Sequence, residues 1–245
     1  MTQSTCDARS GQARVVLGYP GGAASIDALR QLVAAGVEVV TVTIDLGRQS
    51  DLDEVREQAL SAGALRAHVL DAREEFAREC LLPALRTESL ETLDPPALAA
   101  PLVRRKLAEI AAIEQAASVI DADDVGESSS SGIDVGQTLI ERPVNDLARL
   151  RGIPAHVDLE IQRLVPVAIN GVPMTICELF ESLALIAGQH GVGRLPHLDA
   201  PAAPLLHAAY GALAGRDGVA RFELHNGILT PIGADEADPE LVNHT

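Results

Sequence analysis

The stretch Arg14-Val15-Val16-Leu17-Gly18-Tyr19-Pro20-Gly21-Gly22-Ala23-Ala24-Ser25 decides how this chain is read. Residues 14–18 are a short apolar run of the kind that forms a buried strand, and Pro20-Gly21-Gly22 ends it in a tight turn. Ser25 is then placed to cap a helix, because Ile26, Leu29, Leu32 and Val33 follow at helical spacing. Gly36, at ease with the positive φ of a helix terminus, stops it. Working outward, residues 37–44 are rich in β-branched side chains and predict a second strand. Residues 51–62 predict a second helix and 66–70 a third strand. Strands and helices alternating through short connections predict a parallel sheet with right-handed crossovers.

Residues 71–76 open a further helix with acidic residues in its first turn, where they suit the helix dipole. A helix over 102–117 and a fourth strand over 117–122 follow. Residues 123–136 are polar and Gly/Ser-rich, and the run from Ser128 to Ser131 has the composition of a linker. Beyond it, strands are predicted at 156–161 and 165–169, with Asn170-Gly171 a strong turn signal. Thr175 is placed to cap a helix whose Ile176, Leu179, Phe180, Leu183 and Ile186 form one apolar stripe ending near Gly188. A short helix over 205–213 precedes a second hairpin, 219–224 and 228–232, turning at His225-Asn226-Gly227. The expected fold class is α/β: a parallel-sheet domain over 1–125, a linker over 126–150 and a smaller α+β domain over 151–245.

Composition narrows the function classes. The chain has 245 residues, 47% of them hydrophobic but only 2% aromatic, so its cores must be built from Ala, Val, Leu and Ile. With 19 basic and 35 acidic side chains the formal charge is -16, which repels a phosphodiester backbone, and no Lys/Arg cluster provides a local exception. Nucleic acid is not an expected partner. Cys6, Cys80 and Cys177 are odd in number and widely spaced, without a CxxC pattern, and read as reduced thiols rather than a disulfide framework or a zinc site. The polar start of the chain lacks the apolar run of a signal peptide, and no run of about 18 apolar residues predicts a membrane span. A cytoplasmic location is expected.

Three stretches, in order, resemble argininosuccinate synthase. In the first, residues 15–72, Val15-Val16-Leu17-Gly18-Tyr19-Pro20-Gly21-Gly22 stands where that family has a strand followed by Ser-Gly-Gly-Leu-Asp-Thr-Ser. Thr43-Ile44-Asp45-Leu46-Gly47 is similar to its second-strand motif, and residues 71–85 carry the most specific match. The second stretch, 166–194, holds Gly188-Gln189-His190-Gly191-Val192-Gly193-Arg194. The third is 200–213 with the closing hairpin to Gly233. The resemblance implies an adenine nucleotide alpha hydrolase-like domain of the ATP pyrophosphatase kind, followed by a multimerising synthetase domain through which the chain would form homo-oligomers. It implies ATP and Mg²⁺ as cofactors of a C–N ligation in which the citrulline ureido oxygen attacks the α-phosphorus, pyrophosphate leaves and the aspartate amine displaces AMP. It also implies that whole blocks of the longer family sequence are missing, one of them a Gly-rich nucleotide and aspartate segment after Ile120-Asp121 and another between Gly215 and Val219.

Such chemistry needs dense donors around three phosphates. Gly21 and Gly22 keep the turn, but Pro20 stands where the family has Ser, Ala24 where it has Asp, and Ile26 where it has its final Ser; Ser25 alone retains an oxygen. A hydrogen bond to a charged partner is worth about 1.5–3 kcal/mol, so three losses weaken binding by orders of magnitude if they add. In Leu98-Ala99-Ala100-Pro101-Leu102, Ala100 replaces the Arg of the family's Leu-Ala-Arg-Pro-Leu and Pro96 stands near its substrate-binding Thr, and a methyl group does not imitate a bidentate guanidinium. The cofactor-binding residues singled out are therefore Gly21, Gly22, Ser25 and Asp45, as a weak ATP or phosphate site. A Gly-Gly turn also simply ends a strand. Asp45, at the carboxyl end of a strand, is placed to orient a ribose or an amine, or else to be a solvated loop carboxylate. His190 reads as a base or as a helix-end residue, and His207 as a packed residue on an apolar face. No GxSxG, HExxH or Walker pattern replaces what is missing. The expected function is a binding or assembly protein of this family, with an unidentified protein partner, that has lost the ancestral ligation; the alternative is an active ATP-dependent ligase with an altered substrate.

Overall fold

The computed structural model describes residues 13–47, 51–87, 90, 93–120, 153–193 and 201–236, and they form two compact units. The first takes residues 13–45, 51–72 and 99–120; the second takes 46–47, 73–98 and the described residues from 153 onward. The segment 73–98 thus groups with the second unit, and the linker expected at 126–150 lies outside the described residues.

In the first unit, β1 (Arg14–Gly18), β2 (Glu38–Asp45), β3 (Arg66–Asp71) and β4 (Ser118–Ile120) make one parallel sheet in the order β3-β2-β1-β4. The Val-rich strands β1 and β2 lie in its middle and are almost wholly buried, as central parallel strands must be. Helices α1 (Ala23–Ala34) and α2 (Leu52–Ser61) provide the crossovers, and Leu29, Val55 and Ala59 close over Leu17, Tyr19 and Val39. Each fully buried Val or Leu contributes about 1.5–3 kcal/mol. At the end of α1, Gly36 at φ 79° lets Val37 N–H reach the Leu32 carbonyl (3.1 Å) and Gly36 N–H that of Val33 (3.0 Å), the Schellman closure that turns the chain into β2.

Two local expectations are corrected. Ser25 does not cap α1; the N-cap is Gly22, and Ser25 lies inside the first turn with its hydroxyl donating to the Gly22 carbonyl (2.7 Å). The helix expected from residue 102 begins seven residues earlier, as α5 (Pro95–Ile113). Asp94 caps it, its carboxylate accepting from Ala97 N–H (3.4 Å), while Pro95 and Pro96 occupy first-turn positions where no N–H is needed.

In the second unit, the chain runs through α3 (Arg73–Glu75), a π-helical stretch (Phe76–Leu81) and α4 (Leu82–Thr87). Strands β5 (Ala155–Gln162), β6 (Val165–Ile169), β7 (Val172–Pro173), β8 (Gly218–His225) and β9 (Ile228–Glu236) form an antiparallel sheet in the order β7-β6-β5-β8-β9. The β6–β7 and β8–β9 hairpins turn at Asn170-Gly171 and Asn226-Gly227, all four residues at positive φ as a type I′ turn demands. Burial alternates strictly along β8, so one face meets α6 (Ile176–Gln189) and α7 (Ala202–Leu213) while the other is polar. Thr175 and Glu178 form the capping box of α6.

Candidate functional site

The order β3-β2-β1-β4 puts the topological switch at β1: the chain crosses to β2 on one side, and β4 flanks β1 on the other. In open α/β sheets, ligands collect beyond the carboxyl ends of the strands at such a point. The chain leaving β1 there is Tyr19-Pro20-Gly21-Gly22, and it runs straight into the N-terminus of α1.

This loop is held from several sides. Tyr19 N–H donates to the Val42 carbonyl (2.9 Å), the last ladder bond, and the buried Thr43 hydroxyl donates to the Tyr19 carbonyl (2.7 Å). Gly21 has φ 91°, and a Cβ on it would lie 2.9 Å from Val55 Cγ2, so both backbone and space require glycine. Gly22 differs: its φ is −82°, and a Cβ there meets nothing within 4 Å. Its openness leaves the backbone approachable rather than strained.

The first helical bond of α1 runs from Ile26 N–H to the Gly22 carbonyl (3.1 Å). The N–H groups before it have no intrahelical acceptor, and the positive end of the helix dipole, about half a unit charge, adds to them. Gly22, Ala23 and Ala24 are exposed, no side chain caps the helix, and its first turn holds no acidic residue. The start of α1 thus presents uncapped backbone N–H groups, the feature on which helix N-termini in general take up anions.

Of the four residues singled out from sequence, Gly21 and Gly22 form the turn itself. Ser25 sits one turn into the helix, buried, its proton committed to Gly22. Asp45 ends β2 on the same carboxyl edge, also buried, opposite Asp71 of β3, and its carbonyl accepts from Ala72 N–H (2.9 Å). Tyr19 turns its ring into the apolar cluster beneath α1 and α2. Its hydroxyl is buried without a hydrogen-bond partner among the described residues, and burial raises its pKa against the opposing pull of Arg30.

Sequence reasoning missed Thr43 and Val55, the residues that fix the loop. The only signal was a pair of hydroxyls, Thr41 and Thr43, in a strand whose centre is otherwise Val and Ile. It also missed a charged cluster at the amino edge of the sheet. There Glu114, just past α5 and 3% exposed, lies 2.9 Å from the Arg66 guanidinium, 2.8 Å from His68 Nε2 and 3.8 Å from Arg14. Arg14 also pairs with Glu38 (3.1 Å) and donates to the Glu114 carbonyl (2.8 Å). The hydrogen bond from His68, then the pairing with Arg66, hold the Glu114 carboxyl below the usual range against the contrary effect of burial.

In the second unit, His190 is the buried C-cap of α6 and its carbonyl accepts from Gly227 N–H (2.6 Å), a helix-end role. His207 packs α7 on α4 through a bond between Nδ1 and the Leu85 carbonyl (2.8 Å). Tyr210, with its hydroxyl on the Leu164 carbonyl (3.0 Å) and Arg86 above its ring, has its pKa pushed up to about 12 by burial. Among the described residues no group of three or more His, Cys, Asp and Glu is arranged to hold a metal, and no helix is long and apolar enough to cross a membrane.

The family described as the arginosuccinate synthase N-terminal HUP domain matches residues 14–126, and the arginosuccinate synthase C-terminal domain matches 140–201. Argininosuccinate synthase of Geobacillus sp. (strain WCH70) is 29% identical over 256 residues, covering 76% of this chain and 63% of that protein. The enzyme of Streptococcus suis (strain 05ZYH33) is 27% identical over 255 residues, covering 76% and 64%. The chain therefore spans less than two thirds of the length of these relatives. A crystal structure of NAD+ synthetase from Burkholderia pseudomallei aligns with a TM-score of 0.27 and 23% identity, over 43% of this chain and 49% of that one, too remote to draw correspondences from. On the two matched domains, the chain belongs to the argininosuccinate synthase family.

Proposed function

We propose that this protein binds ATP or a phosphate-bearing ligand weakly at the Gly21-Gly22 turn and serves in binding or assembly, without the ATP-dependent joining of citrulline and aspartate that its family resemblance implies. The observation that carries the reading is the composition of the loop. Its phosphate-facing donors are backbone N–H groups, Pro20, Ala23 and Ala24 offer no side-chain donor, and the single hydroxyl, on Ser25, donates inward to Gly22. Ala100 likewise puts a methyl group in α5 where the family has Arg. A backbone turn at a helix N-terminus supports the binding of one phosphate group. Stabilising charge that develops on three phosphates during adenylyl transfer calls for further donors and Mg²⁺.

Asp45 remains on the same edge as the residue for a ribose hydroxyl or an amine, the feature that favours the active-ligase alternative. A cytoplasmic protein assembling with copies of itself through the second unit completes the proposal, and the charge of -16 speaks against nucleic acid as a partner. Calorimetric titration with ATP·Mg²⁺ and with pyrophosphate tests the site. Binding with a Kd of about a millimolar is expected, equivalent to about −4 kcal/mol. Micromolar affinity for ATP would favour the ligase reading, and no heat with either ligand would remove the site.

A further inference from the structure

We propose that Thr43 is the residue that positions the Gly21-Gly22 turn and so sets its affinity for phosphate, a claim that rests on the phosphate reading above. Thr43 stands in the middle of the sheet, 7% exposed, on a strand whose neighbours are Val42 and Ile44, where Val is the natural occupant of its shape. A hydroxyl in such a place persists only when it is satisfied. Its partner is the carbonyl of Tyr19, the first residue past the end of β1, at 2.7 Å.

That carbonyl precedes Pro20, so the plane of the Tyr19–Pro20 peptide, and with it the direction in which the turn leaves the sheet, is anchored by Thr43. Pro20 has no N–H, so this peptide donates no hydrogen bond. From the next residue Val55 blocks movement towards α2, with no room for even a Cβ on Gly21. At the far end the Ser25 hydroxyl closes on Gly22. Thr43 therefore acts through the backbone it holds. Since the anion site consists, among the described residues, of the backbone N–H groups at the start of α1, their mutual aim decides affinity, and preorganisation takes the place of the missing side chains.

The strand supplies its own control. Thr41, 1% exposed on the same face of β2, carries an equally buried hydroxyl directed at the Arg66 carbonyl (3.4 Å), away from the loop. Thr43→Val, Thr43→Ser and Thr41→Val are compared in the full chain, far below the melting temperature. The readouts are amide hydrogen exchange at residues 21–24 and calorimetric titration with ATP·Mg²⁺ and pyrophosphate. The expected result is faster exchange at 21–24 and about three- to tenfold weaker binding in Thr43→Val, recovery in Thr43→Ser, and neither change in Thr41→Val. Equal behaviour of Thr43→Val and Thr41→Val at residues 21–24 overturns the proposal whatever the nucleotide does. A wild-type protein that takes up neither ligand, yet shows the selective change in exchange, sinks the phosphate reading while leaving Thr43 as the anchor of the turn.

Discussion

At the amino edge of the parallel sheet, Arg14, Glu38, Arg66 and His68 gather from three strands around the buried Glu114. At the carboxyl edge, about 16 Å further along β1 by strand geometry, the chain offers two glycines, a proline, two alanines and the open start of α1. Judged by charge alone, the first would be taken for the site. Yet every charge there is matched by another on the same unit, and the product of the arrangement is to fasten α5 and three strands together. The carboxyl edge has almost no side-chain chemistry, but its residues 22–24 are exposed and their N–H groups precede the first bond of the helix. On the function proposed above, the ligand edge is the one with unmatched backbone at the topological switch, not the one with a concentration of matched charge.

The sharpest way to break this contrast is to substitute the two glycines separately. Gly21→Val should destabilise the fold by about 3 kcal/mol, because positive φ and the contact with Val55 act together. Gly22→Ala should change stability by no more than about 0.5 kcal/mol, the lost N-cap preference being offset by a less flexible unfolded chain. Urea unfolding of the pair measures both, and equal effects would mean the turn is not held as described.

At the other edge, Glu114→Gln should cost about 1–2 kcal/mol, since the carboxylate is buried while Arg66, at 61% exposure, keeps much of its hydration. The pH dependence has a definite sign. A carboxyl whose pKa is lowered by folding contributes fully above its unfolded value, near 4.5, and loses that contribution as pH falls through the depressed folded value. The difference between wild type and Glu114→Gln should shrink as pH falls below about 4.5. A difference that fails to shrink below about pH 4.5 would mean that folding does not stabilise the charged form of Glu114. Neither edge should influence the other: Glu114→Gln should leave the Kd for ATP unchanged.

A smaller effect sharpens the reading of the loop itself. Pro20→Ser returns a hydroxyl and an N–H to the position where the family carries Ser, and it should tighten ATP binding by about tenfold, equivalent to about 1.4 kcal/mol, in a titration. No gain would place the phosphate elsewhere than beside residue 20.

Much of this was legible in the chain. The strands β1 to β3 followed from short apolar or β-branched runs, the two hairpins from Asn-Gly, and the cap of α6 from Thr175, because each is decided by residues within a turn of one another. Asp94-Pro95-Pro96 was an equally local start signal for α5, obscured by the rule that proline breaks helices, which holds for the interior but not for the first turn. The π-helical stretch from Phe76 and the grouping of 73–98 with the second unit depend on packing that no short pattern carries. The same is true of the two edges. Arg14 and Glu114 are 100 residues apart in sequence and Thr43 is 24 from Tyr19, so only the sheet brings them together. Ser25 was expected to cap α1 and instead lies inside its first turn, because Gly22 takes the N-cap position three residues sooner.

The central claim is that the loop keeps the shape of a phosphate site after the donors for adenylyl transfer have gone. The most direct measurement is pyrophosphate release from ATP by the purified protein with citrulline, aspartate and Mg²⁺, run beside Gly21→Val. The account predicts no release above background from either protein. Citrulline-dependent release by the wild type that disappears in Gly21→Val would contradict it.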